Sequence, residues 1–186
     1  MKPTGMMVGT LLAALAAAVP AGADEDAPAK AFATLTGCSD SGVGGVVRFQ
    51  EEKSEEGVKQ VRVRLRIVGL EEGKHAVHIH ETGECEPSCL AAGGHFDPGP
   101  ASFPSPDGNH PYHSGDLINV EVVDGVGEMR TVTNRVTLSP GPLSVFDDDG
   151  SAVIVHVNPD TYCPDGEETG CAGGARAACG IITAVE

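Results

Sequence analysis

The chain has 186 residues, with 27 acidic against 12 basic side chains, a net charge of −15 and no tryptophan. That length suits one domain with an ample core. That acidity argues against nucleic acid and anionic membrane as partners.

The N-terminus reads as a targeting segment. Lys2 supplies a minimal positive start, Met6 to Val19 is an apolar Leu/Ala stretch, and Ala21-Gly22-Ala23 places small residues where a signal peptidase cuts. Residues 1–23 are therefore expected to be a secretory signal cleaved after Ala23. The apolar run is shorter than the roughly 20 residues a membrane span needs, and Asp24-Glu25-Asp26 follows it. No membrane association is expected once the signal is gone. Loss of Lys2 takes the formal charge from −15 to −16. Residues 24–30, acidic and containing Pro28, read as a flexible lead-in to a domain over 31–186. A short, alanine-rich signal points to a periplasmic or secreted protein. Cys38, Cys85, Cys89, Cys163, Cys171 and Cys179 make an even count in an exported chain, which favours disulfides. Six cysteines allow fifteen connectivities and spacing does not choose among them. A zinc thiolate at Cys85-x-x-x-Cys89 is the other reading.

From Ala31 onward the pattern is β. Gly44–Gln50 is a short strand, and 58–68 alternates Val61, Val63, Leu65 and Ile67 with Arg62, Arg64 and Arg66, one dry face and one wet. Glu71-Glu72-Gly73 is a turn into His75-Ala76-Val77-His78-Ile79-His80. Residues 81–115 are rich in Gly, Pro, Ser and Asp, and a loop of that length is usually functional or disordered. Strands resume at 116–123, 128–138 and 152–157, a second irregular loop spans 158–175, and 177–185 is a last strand. About eight short strands, no helical period and two long loops predict an all-β sandwich or barrel.

All seven histidines fall between 75 and 156. In an extended strand His78 and His80 share a face, where two imidazoles can grip one copper, zinc, iron or nickel ion. His156 sits in an otherwise apolar strand, Ser151 to Val157. His95, His110, His113 and Asp116 form a second set, and three imidazoles with one carboxylate suit a closed tetrahedral zinc site. Against this, a lone strand histidine is commonly a hydrogen-bonded core residue, and loop histidines are commonly a polar surface.

Four ordered segments resemble the copper/zinc superoxide dismutase family: Gly73–Glu81, Cys89–Pro98, His113–Val120 and Ala175–Ile182. The resemblance runs from about residue 45 to 183 and implies an eight-stranded Greek-key β-barrel of flattened, sandwich-like shape with two long functional loops. It implies copper on His78, His80, His95 and His156, and zinc on His95, His113 and Asp116, with His95 bridging the two. It implies Asp160 as a carboxylate hydrogen-bonded between the metal sites, Arg176 as the guide for an anionic substrate, and a Cys89–Cys179 disulfide. Cys163 and Cys171 would then pair with each other, leaving Cys38 and Cys85 as a third bridge. The chain departs from the family at one zinc ligand, whose histidine is expected near Phe103. Either His110 takes that role through a turn at 109–112, or the zinc site is weakened and takes water.

The implied activity is disproportionation of superoxide to O2 and H2O2 by copper redox cycling, with zinc structural and His95 passing a proton. The alternative on the same fold is a periplasmic copper carrier or store. Superoxide is the expected substrate, and monomer and homodimer both stay open.

Overall fold

The computed structural model of the protein describes residues 29–99, 108, 110–166 and 168–185. The expected signal at 1–23 and nearly all of the lead-in lie outside the described residues; Lys30 already opens the first strand.

The strands are β1 (Lys30–Gly37), β2 (Gly44–Lys53), β3 (Lys59–Val68), β4 (Gly73–His75), β5 (Val77–His80), β6 (Val120–Val123), β7 (Val126–Thr133), β8 (Ala152–His156), β9 (Arg176–Ile181) and β10 (Thr183–Ala184). Every named pairing is antiparallel, in the order β4-β6-β7-β3-β2-β1-β9-β8-β5, with β10 on β1. The two ends of that order, β4 and β5, are one stretch of chain interrupted at Ala76. Their residues pair with β6 on one side and β8 on the other, so the sheet closes into a barrel. Counting β4 with β5 and β9 with β10 gives the eight strands expected.

Alternation sets the core. In β3, Val61, Val63, Leu65 and Ile67 are buried while the arginines between them face outward. Val47, Phe49, Val77, Ile79, Val153 and Val155 complete the barrel interior from the other strands. β5 and β8 are buried on both faces along their whole length, and β9 through its middle four residues. The second face of β5 and β8 carries His78 and His80, and Ala152, Ile154 and His156, under the long loops.

Two expected strands are shorter than their pattern. Residues 116–119 form loop rather than the start of β6, since Asp116 and the Asn119 side chain are engaged by the histidine cluster and by Asp160. Residues 134–138 bury Val136 and Leu138 without extending β7. There the carboxylate of Glu51 accepts hydrogen bonds from the N–H groups of Leu138 (2.6 Å) and Ser139 (2.9 Å), replacing a ladder.

The disulfides correct two expected pairings. Cys89 pairs with Cys38 rather than Cys179, and Cys179 pairs with Cys85; Cys163–Cys171 is as expected. Cys38, Cys85, Cys89 and Cys179 pack together with Ala92, Ala152 and Ile154, so several partners are within reach and spacing could not rank them. The single turn Cys89–Ala92 places Cys89 against the turn at Cys38–Asp40, while Cys179 lies beside Glu84 and Cys85. Peptide mapping of unreduced protein should recover Cys38–Cys89, Cys85–Cys179 and Cys163–Cys171, and no Cys89–Cys179 peptide.

Candidate metal centre

Six of the seven histidines come together on the face of β5 and β8 turned away from the barrel core, joined by Asp116 and Asp160. Their nitrogen and oxygen atoms form two groups within 4.8 Å, one of His78, His80, His95 and His156, the other of His78, His95, His110 and Asp116. His78, His80, His95 and His113 are inaccessible to solvent.

The backbone brings them there by three close crossings. Ile79 donates to the Gly115 carbonyl (2.9 Å) and accepts from Phe96 (2.9 Å), and Gly115 donates to Phe96 (2.8 Å). β5 is thereby knitted to both loop segments that carry ligands. A Cβ at position 115 would stand 2.2 Å from the Ile79 carbonyl oxygen, so only glycine permits this approach.

Hydrogen bonds on the outer side of each ring set its tautomer. His80 donates from Nδ1 to the Gly93 carbonyl at 3.0 Å, leaving the Nε2 lone pair facing inward. His156 donates from Nδ1 to the Gly174 carbonyl at 2.9 Å, again leaving Nε2. His78 places Nε2 3.1 Å from Asp160, so its free nitrogen is Nδ1, which lies 3.2 Å from His156 Nε2. Two lone pairs thus face one another across a buried gap. His80 Nε2 and His95 Nε2 are buried without a hydrogen-bond partner. Converging acceptors without a donor describe a cation site. Tetrahedral ligand atoms about 2.0–2.1 Å from an ion stand roughly 3.3 Å apart, close to the separation found here.

The second set is built on Asp116. Its carboxylate lies 2.7 Å from His95 Nδ1, 3.1 Å from His113 Nδ1 and 3.1 Å from His110 Nδ1. His78 also falls within this group, but its Nε2 is taken by Asp160 and its Nδ1 points to the first set. His113, whose Nδ1 faces Asp116, is therefore the better fourth member. His95 has one nitrogen in each set. Asp160 spans the two sites, 3.1 Å from His78 Nε2 and 2.8 Å from His110 Nε2. Phe103 lies outside the described residues; the ring that reaches both carboxylates is His110.

The donor set suits soft-to-borderline transition metals. The first set offers four imidazoles and the second three imidazoles and a carboxylate, donors that suit zinc, copper, iron or nickel.

Several contributors carried no sequence signal. Arg135 donates to the carbonyls of Pro111 (3.1 Å), His113 (2.9 Å) and Asp116, holding the whole ligand turn from one guanidinium. Asn119 accepts from the Asp160 N–H (2.8 Å) and donates to the Asp160 carbonyl (3.0 Å), and the Tyr162 N–H donates to the Asp160 carboxylate at 2.6 Å. An arginine or asparagine bound to main chain leaves no motif, so only the fold reveals them. The remaining histidine, His75, is structural: its ring nitrogens lie 3.0 Å from the carbonyls of His156 and Glu71.

Arg176, at the head of β9, donates to the carbonyls of Cys89 and Gly93. The Gly93 carbonyl therefore receives both His80 and Arg176. A cleft of about 280 Å³ opens beside them, lined by His156, Arg176, Leu90, Thr169 and Gly174 among others. Of the first histidine set, His156 lines it.

Residues 43–182 match the sequence profile of a family described as copper/zinc superoxide dismutase. The chain belongs to that family. It is accordingly an oxidoreductase of the superoxide dismutase type, and its histidine groups are compatible with the metals the family name implies.

For the metal-free superoxide dismutase chain, protonation and stability are linked in both directions. Burial holds His78 down to about 3 and His156 down to about 4, against 6.5 for a free imidazole. Between pH 6.5 and 4 the unfolded chain takes protons that the folded chain refuses, so stability falls as pH falls. For His110, burial opposes the charge but hydrogen bonds to Asp116 and Asp160 prevail and lift it to about 9. Its contribution is complete below 6.5 and is lost as pH rises through 9. Calorimetry in chelator from pH 4 to 9 should give a melting temperature that peaks near pH 6.5, and His110→Gln should flatten the alkaline side.

Proposed function

We propose that the first histidine set, His78, His80, His95 and His156, holds copper and that His95, His110, His113 and Asp116 hold zinc, in an enzyme that disproportionates superoxide to O2 and H2O2. One observation carries the reading: outer hydrogen bonds leave the inward nitrogens of His78, His80 and His156 as lone pairs that converge with His95 in one buried group. Bound copper would supply the one-electron change, and zinc a fixed positive charge without redox chemistry.

The chain's own residues do the rest. Asp160, shared by His78 and His110, couples the orientation of the two sets. His95 Nε2, at the floor of the first set, is the atom placed to accept a proton and return it to the product. In the metal-free chain burial lowers the pKa of that ring, with Asp116 opposing. Arg176 places a permanently charged, planar donor beside the cleft. In a chain of net charge −15, attraction of a small anion must be local to this arginine and the metal charge. Focused fields of this kind raise association rates by roughly 10 to 10³. A copper carrier has no use for such a guide. Three disulfides fit an oxidising compartment, in keeping with a periplasmic or secreted enzyme.

Copper- and zinc-reconstituted protein should accelerate superoxide decay, with copper and zinc anomalous scattering from the two sets in a crystal. Tight copper binding with no acceleration would leave the carrier instead. Arg176→Ala should keep copper, lower turnover about tenfold or more, and show a weaker dependence on ionic strength than wild type. His110→Ala should lower zinc affinity by at least about tenfold, comparable to or beyond the 10–100-fold typical of a lost supporting partner, measured by competition with a chelator; unchanged affinity would remove His110 from the set.

A further inference from the structure

The basic residues of this acidic chain are not spread evenly. Lys30, Arg48, Arg62, Arg64, Arg66 and Arg130 are six of its 12 lysines and arginines, and all lie at alternate positions of β1, β2, β3 and β7 that face away from the core. The register makes the arrangement sharper. Phe32 stands opposite Arg48, Arg48 opposite Arg64, and Arg64 opposite Arg130, a single row across four strands.

Like charges directly opposite one another in a sheet are destabilising, and natural sheets usually interleave carboxylates. Here the flanking arginines are matched, Arg62 to Glu52 and Arg66 to Glu128. The three in the row have no carboxylate partner among the described residues. Arg48 and Arg64 instead line a groove of about 450 Å³ whose other walls include Phe32 and Val185, both exposed. An apolar wall beside unneutralised guanidiniums is a surface with one face for a ring and another for an anion.

We propose that this groove binds an acidic polysaccharide, a linear polyuronate whose carboxylates meet the arginine row while its sugar rings lie against Phe32 and Val185. Neighbouring strands are about 4.8 Å apart, so a chain crossing them meets a guanidinium at every strand from β2 to β7. The guanidinium fork matches a carboxylate in two parallel hydrogen bonds. Charge complementarity is confined to this groove. A duplex or a bilayer would also confront the rest of a surface carrying −15, whereas a single narrow chain confronts only the row. The row lies on strands other than β5 and β8, which carry His78, His80 and His156, so binding here anchors the enzyme without covering its cleft.

The test is calorimetric titration of the metal-loaded protein with oligogalacturonate at several salt concentrations. The expected result is binding that weakens as salt rises. The double substitution Arg48→Gln/Arg64→Gln should weaken binding at least tenfold and reduce the slope of log affinity against log salt by about two, one per cation removed. It should leave superoxide turnover unchanged, and its melting temperature should equal or exceed wild type. Phe32→Ala should weaken binding with the salt slope intact. Equal affinity in wild type and the double variant would overturn the proposal, as would absence of binding at low salt. So would tighter binding of phosphatidylglycerol vesicles or of single-stranded oligonucleotide than of oligogalacturonate at equal salt.

Discussion

The structure of the centre depends on hydrogen bonds that point away from it. A neutral imidazole has one donor and one acceptor nitrogen, and which is which follows from what the outer nitrogen meets. The carbonyls of Gly93 and Gly174 and the carboxylate of Asp160 take the outer nitrogens of His80, His156 and His78. What remains inside is a cluster of lone pairs with no proton to share. Burial reinforces this by pushing His78, His80 and His156 away from the charged form. Such a cluster is repulsive on its own and attractive only around a cation.

The barrel exists, from this viewpoint, to hold carbonyls still. Gly93 is fixed between the Cys89 turn and β5, and its oxygen serves His80 and Arg176 together. The Cys38–Cys89 bridge ties that turn to the end of β1, and Cys85–Cys179 ties the same loop to β9, three residues from Arg176. Arg176 and His80 therefore share one rigid scaffold. On the other side Arg135 performs the equivalent task for the turn that carries His110, His113 and Asp116.

Much of this was legible in the sequence because the signal is periodic or chemically rare. The alternation of β3 and the His78-x-His80 pair follow directly from a period of two, and both hold in the structure. His95, His113 and Asp116 could be grouped from residue type alone, but their joining with His156 and Asp160 to that pair was legible only through the family that four ordered segments resemble together. His110 was left between two readings, since nothing local says which way a loop imidazole turns; the structure turns it to Asp116 and Asp160. The pairing of Cys38, Cys85, Cys89 and Cys179 was illegible for a different reason. All four belong to one cluster with Ala92, Ala152 and Ile154, and proximity in space among equals leaves no trace in spacing along the chain. Residues 134–138 misled because burial of Val136 and Leu138 mimics a strand, whereas a buried glutamate supplies the hydrogen bonds.

The interruption at Ala76 has an implication for how the molecule matures. The segment 73–80 is the last stave of the cask, gripped by β6 through its first half and by β8 through its second. The same stave bears His78 and His80. Until its second half is seated on β8, the quartet of nitrogens has no common focus, because His78 and His80 lie on one strand and His156 on the other. Occupancy of the centre is thus an intrinsic gauge of one seam: an ion captured by all four rings certifies that β5 and β8 have been joined.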